Sequence, residues 1–159
     1  MSGEEPGAAA ASPGTGPVLF AYDGSGLAAL AIKEAGRQLA PGRDALVLCV
    51  WQPGDVGFVV PEERHLHAAE AQEVKKAAEE TAAHGASLAE QAGFRAQSAT
   101  VESAPTWKGI VEAANEHDAS LIVLGSHTRS GLVGHLLGSV TAAVMKHCTF
   151  AVLVVRGRS

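Results

Sequence analysis

Gly125, Gly138 and Ser139 bracket a stretch whose side chains suit one kind of chemistry, the holding of an anion. Ser126, Thr128, Ser130, Ser139 and Thr141 carry hydroxyl donors, and Arg129 adds a cation with a forked set of N–H groups. Gly125, Gly131, Gly134 and Gly138 let a backbone come close to a ligand without a Cβ in the way. The apolar run Leu121 to Leu124 reads as a buried strand that stops at Gly125. Ser139 is placed to cap a helix from about Val140 to His147, and a second buried strand follows from Phe150 to Val155. Strand, glycine loop and helix N-terminus together bring unpaired N–H groups and the helix dipole to one point. The competing reading is a crossover linker that binds nothing, in which His127 and His135 are plain surface histidines.

Asp23 is the second residue with a chemical reading. In an open parallel sheet, ligands sit outside the carboxyl ends of the strands where the strand order reverses. If the first strand and the Leu121–Leu124 strand flank that reversal, Asp23 faces Gly125 and accepts hydrogen bonds from ribose hydroxyls. Its ordinary alternative is a turn residue for the helix that follows. The segment Gly24-Ser25-Gly26-Leu27-Ala28-Ala29 fits G-x-G-x-x-A only loosely. Asp23 beside the first glycine would repel a pyrophosphate, and no acidic residue ends the second strand at Val50-Trp51. No P-loop pattern occurs. His65 and His67 lack a third ligand at a zinc spacing, so no metal is expected there. No nucleophile elbow, catalytic triad order or carboxylate pair stands out, so no enzymatic activity is expected.

These residues need a scaffold, and the chain supplies a regular alternation. Val18 to Tyr22 and Ala45 to Trp51 read as buried strands, and Arg95 to Glu102 as a weaker one. Between them lie a helix from about Gly26 to Ala40, a Gly/Pro-rich connection from Gln52 to Val60, and a long helix from Pro61 to Ala92. Pro105 suits the first turn of a helix running to about His117. Strands alternating with helices predict one α/β domain built on a parallel sheet with helices on both faces.

Composition narrows the function classes. A chain of 159 residues with 47% hydrophobic content supports one core, and a net charge of −5 argues against a broad nucleic-acid footprint. No apolar run approaches the roughly 20 residues that cross a bilayer. Residues 1–16 read as an Ala/Gly/Pro leader without an export signal, ahead of a domain over 17–157, which predicts a cytoplasmic protein. Cys49 and Cys148 are expected to be small core residues, not a disulfide.

From Pro17 to Arg156 the chain resembles the universal stress proteins. The resemblance is carried by VLFAYDGS at the first strand, LVLCV at the second, Pro105 ahead of the third helix, and LIVLGSHTRSGLVGHLLGSV…VLVVR at the end. Gly125, Gly138 and Ser139 fall on the pattern G-x2-G-x9-G-[S/T] of the nucleotide-binding members, with Thr128 at the second glycine. The family implies a five-stranded parallel sheet in the order 3-2-1-4-5, a cytoplasmic location, and homodimers that pair the last strand, here Ala151 to Val155. It implies ATP as ligand, with AMP or cyclic AMP as related choices and Mg2+ accompanying the nucleotide. Asp23 and Val50 would then hold the nucleoside, and Leu124, Gly125, Gly138, Ser139, Val140 and Thr141 the phosphates. Ala21, Tyr22, Thr128 and Arg129 complete the expected nucleotide-binding set. The implied role is a dimeric stress-response regulator; the alternatives are a nucleotide-free interaction module and a slow ATP-hydrolysing or phosphoryl-transfer enzyme. Trp51, next to Val50, is expected to report adenine binding by its emission.

Overall fold

Side chains along the first strand alternate between two layers, and that alternation organises the molecule. The computed structural model describes residues 15–53, 64–126 and 138–157, the side chains of 64–68 excepted. Its elements are β1 (Val18–Ala21), α1 (Gly26–Gln38), β2 (Asp44–Trp51), α2 (Arg64–Gln91) and β3 (Arg95–Glu102), followed by α3 (Thr106–Glu116), β4 (Leu121–Ser126), α4 (Ser139–His147) and β5 (Val152–Arg156). The strands form a five-stranded sheet in the order β3-β2-β1-β4-β5, every pair parallel. Val18 lies opposite Ala45 on one side and Leu121 on the other, so the sequence order reverses on either side of β1.

Val18, Phe20 and Tyr22 point into the layer of α1 and α2, where they meet Ala31, Ile32, Ala35 and Ala89. Leu19, Leu46, Leu48, Ile122 and Leu124 point the other way, onto Ile110 and Ala114 of α3 and Val144 of α4. A sheet buried on both faces requires apolar residues at successive positions, which is why these strands are near-continuous apolar runs. Phe20 and Phe94 meet edge to face at 5.2 Å, closing the first layer below β3. Cys49 is buried with Trp51 under Ala78 and Ala82 of α2, while Cys148 is half-buried and caps α4; no disulfide joins them.

Several boundaries differ from the sequence expectation, each for a local reason. β4 does not stop at Leu124: it runs through Gly125, which lies opposite Val155, to Ser126. A Cβ on Gly125 would stand 2.9 Å from Leu27 Cγ and 3.1 Å from Leu27 O, so the glycine lets α1 pack directly on the strand. Ser139 does not cap α4; it is the first helical residue, and Gly138 occupies the cap position. Pro105 likewise sits at the cap of α3, one position before its first turn. α1 ends at Gln38, before Ala40, and β5 begins at Val152, after Phe150. Gly16, assigned to the leader, is tied to the domain by an N–H bond of 3.0 Å to the Asp118 carbonyl. The remainder of the leader, 1–14, and the Pro61 start expected for α2 lie outside the described residues. Among the described residues no helix is long and apolar enough to cross a membrane.

Candidate functional site

Parallel strands end on the same edge of the sheet, and each following helix begins there. The carboxyl ends of β1, β2 and β4 and the first turns of α1, α3 and α4 accordingly surround one cavity of about 240 Å3. The candidate residues meet in it. Ala21, Tyr22 and Asp23 come from the end of β1, Val50 from β2, Leu124 and Gly125 from β4, and Gly138, Ser139, Val140 and Thr141 from the entry to α4. Thr128 and Arg129 lie outside the described residues, as do His127, His135 and the side chains of His65 and His67.

At the β1 end the backbone is built by turn chemistry. Gly24 takes φ 85°, a conformation that glycine adopts without a Cβ penalty. Asp23 Oδ1 accepts the Ser25 N–H at 2.9 Å, and Ser25 Oγ accepts the Ala28 N–H at 3.1 Å, capping α1. Asp23 is therefore part of the turn and also lines the cavity.

Tyr22 borders the cavity, but its ring occupies the opposite layer, 3% exposed among the α1 and α2 residues. Gly85 makes room for it, since a Cβ there would stand 2.6 Å from both Tyr22 Cδ1 and Val47 Cγ1. The Tyr22 hydroxyl is hydrogen-bonded to His84 Nδ1 at 2.8 Å. Burial, and secondarily the Asp23 charge, raise the Tyr22 pKa above its ordinary value of 10.0. A folded-state pKa above the unfolded one means that the contribution is complete below pH 10.0 and is lost as pH climbs toward the folded value. Denaturant midpoints should therefore fall as pH rises past that point. Tyr22→Phe should flatten this fall while costing about 1 kcal/mol at neutral pH for the lost hydrogen bond. An unchanged alkaline slope in Tyr22→Phe would show that other groups set it.

The α4 end differs from α1. No side chain caps α4, and the Gly138 N–H donates instead to Ser126 Oγ at 3.1 Å, a hydroxyl that is 1% exposed. Thr141, in the first turn and 2% exposed, lines the cavity. Its hydroxyl makes no hydrogen bond with another described residue. A buried hydroxyl and a helix N-terminus facing the same space favour an anion there.

Ser25, Leu27, Ala28, Leu48, Thr106 and Ile110 also line the cavity and had no site signal of their own in the sequence. Leu48 follows from Val50 by the two-residue period of a strand, whereas Thr106 and Ile110 become visible only once α3 is docked. Trp51 is a correction. Its side chain faces the α2 layer with Cys49, and it does not border the cavity. Trp107, beside Thr106 and stacked on His147 at 4.0 Å and 11°, packs in the cavity's layer with Leu48, Ile110 and Leu124 and is the better-placed reporter. Ligand-dependent emission should therefore disappear in Trp107→Phe and persist in Trp51→Phe; the reverse pattern would place the ligand against α2.

The fold and this cavity define an open, doubly wound α/β class, and comparison with known proteins makes the assignment specific. The model of the universal stress protein family matches residues 14–156, and the chain belongs to that family. A universal stress protein of Mycolicibacterium smegmatis is 34% identical over 151 residues, covering 89% of this chain and 46% of the relative. The chain thus spans about half the length of the curated relative it matches. The solved UspA of Lactobacillus plantarum superposes with a TM-score of 0.67 at 20% identity, over 91% of this chain and 100% of that one. A universal stress protein solved in complex with cAMP gives a TM-score of 0.56 at 26% identity, over 90% and 98% of the two chains.

Proposed function

We propose that this protein binds an adenine nucleotide in the cavity at the carboxyl edge of the sheet, ATP before AMP or cyclic AMP, with Mg2+ accompanying the phosphates. The observation that carries the reading is the meeting of Asp23 with the α4 entry across one cavity whose floor is apolar. Asp23 suits ribose hydroxyls, Leu48, Val50 and Ile110 suit a base, and Thr141 with the free end of α4 suits a phosphate. The cAMP complex of a 26% identical family member supports the adenine class. The protein works as a binder and not as an enzyme, a cytoplasmic regulator in the stress response. It forms a homodimer through β5, which ends the sheet with one edge unpaired by any described strand. Neither nucleic acid nor membrane is a partner in this reading.

The deciding experiment is to denature the purified protein and identify any nucleotide released, then titrate the emptied protein with ATP, AMP and cyclic AMP. Absence of released nucleotide together with flat titrations would leave a bare interaction module; release of inorganic phosphate from added ATP would point to slow hydrolysis. Thr128 gives a sharper test by sign. A β-branched residue resists φ > 0 at a cost of roughly 1–2 kcal/mol. If the family's second glycine is needed for that conformation, Thr128→Gly should tighten ATP about tenfold. Weaker binding by Thr128→Gly would instead assign the threonine hydroxyl to a phosphate.

A further inference from the structure

The two ends of the cavity differ in chemistry. Asp23, Ser25, Ser139 and Thr141 gather at the β1–β4 side, whereas the β2–α3 side offers Leu48, Val50 and Ile110 with one polar side chain, Thr106. Thr106 precedes Ile110 by four residues on α3, so the two share one face of the helix. The Trp107–His147 stack fixes that first turn against α4. Gln52, leaving β2 just beyond Val50, donates its side-chain amide to Thr106 Oγ1 at 3.5 Å. An amide nitrogen can only donate, so the threonine oxygen accepts and its own hydrogen is directed elsewhere.

We propose that Thr106 is a specificity-determining residue for the nucleobase: with its oxygen engaged by Gln52, its O–H donates to an unprotonated ring nitrogen of a purine seated against Val50 and Ile110. The inference rests on the adenine-nucleotide reading above and adds the group that recognises the base. A donor fixed in an otherwise apolar slot disfavours a base that presents a C–H at that point, because the hydroxyl hydrogen would be left without an acceptor. The ligand favoured by this site therefore carries a ring acceptor there.

The test is a cycle that deletes the hydrogen bond from either side. Wild type, Thr106→Val and Thr106→Ser are titrated calorimetrically with ATP and with deaza-ATP analogues, each having one ring nitrogen replaced by C–H. Thr106→Val should weaken ATP about tenfold and leave one analogue unaffected, that analogue binding wild type about tenfold more weakly than ATP does. Thr106→Ser, which keeps the hydroxyl, should restore ATP affinity. Thr106→Ala serves in the same cycle if the valine variant does not fold. An equal loss for every ligand, or no loss for any, overturns the assignment while leaving nucleotide binding intact. Failure of the wild type to bind ATP or any analogue overturns the nucleotide reading and this inference together.

Discussion

Gly125→Val should lower the free energy of unfolding by about 3 kcal/mol, the upper part of the range for overpacking a well-filled site. Local preference argues the other way. Gly125 lies inside β4 opposite Val155, and valine is the better strand residue by up to ~1 kcal/mol. Packing decides, because a Cβ would stand 2.9 Å from Leu27 Cγ and 3.1 Å from the Leu27 carbonyl. The side chain can turn aside, but the carbonyl belongs to the backbone of α1. Relief requires the helix to move off the sheet, with loss of its buried contacts at Ala28, Ala31 and Ala35. A urea midpoint equal to or above that of wild type would refute this account of the glycine.

Asp23→Ala should weaken nucleotide binding by about 1–3 kcal/mol, the range for hydrogen bonds to a charged group. The structure adds a complication, since Oδ1 also accepts the Ser25 N–H ahead of α1. Asp23→Ala removes turn and ligand contact at once, so affinity alone does not separate them. Asp23→Asn retains an oxygen acceptor for the turn and removes the charge. Its melting temperature should match wild type while its affinity falls part of the way toward that of the alanine variant. If both variants lose stability and neither loses affinity at saturating folded fraction, Asp23 is a turn residue only.

Much of this was legible in the chain itself. The alternation of apolar strand runs with helical stretches gave the sheet class, and the stress-protein resemblance gave the order 3-2-1-4-5, because both depend on patterns within short segments. What escaped was long-range. Gly125 looked like the start of a loop, since nothing near it in sequence reveals that Leu27 lies against it. Tyr22 was legible as a residue at the cavity's edge but not as one whose ring goes to the other layer, because the room for it comes from Gly85 on α2. Ser139 carried the stronger cap signal by residue type, yet the cap position fell to Gly138, whose N–H is held by the buried Ser126 hydroxyl. Trp51 was placed by proximity to Val50, and the two-residue period of the strand put it on the opposite face.

The Ser126–Gly138 hydrogen bond joins the end of β4 to the start of α4, 12 residues apart. It anchors both ends of the intervening segment to rigid elements whatever that segment contains. Closing a chain between fixed ends becomes harder only logarithmically with its length, about 0.6 kcal/mol for each doubling. Insertions, deletions and wholesale exchange between these two anchors should therefore cost the domain little. Such a clasp makes the interval between Ser126 and Gly138 an exchangeable cassette: a lineage, or an engineer, can change its length and composition without rebuilding the sheet.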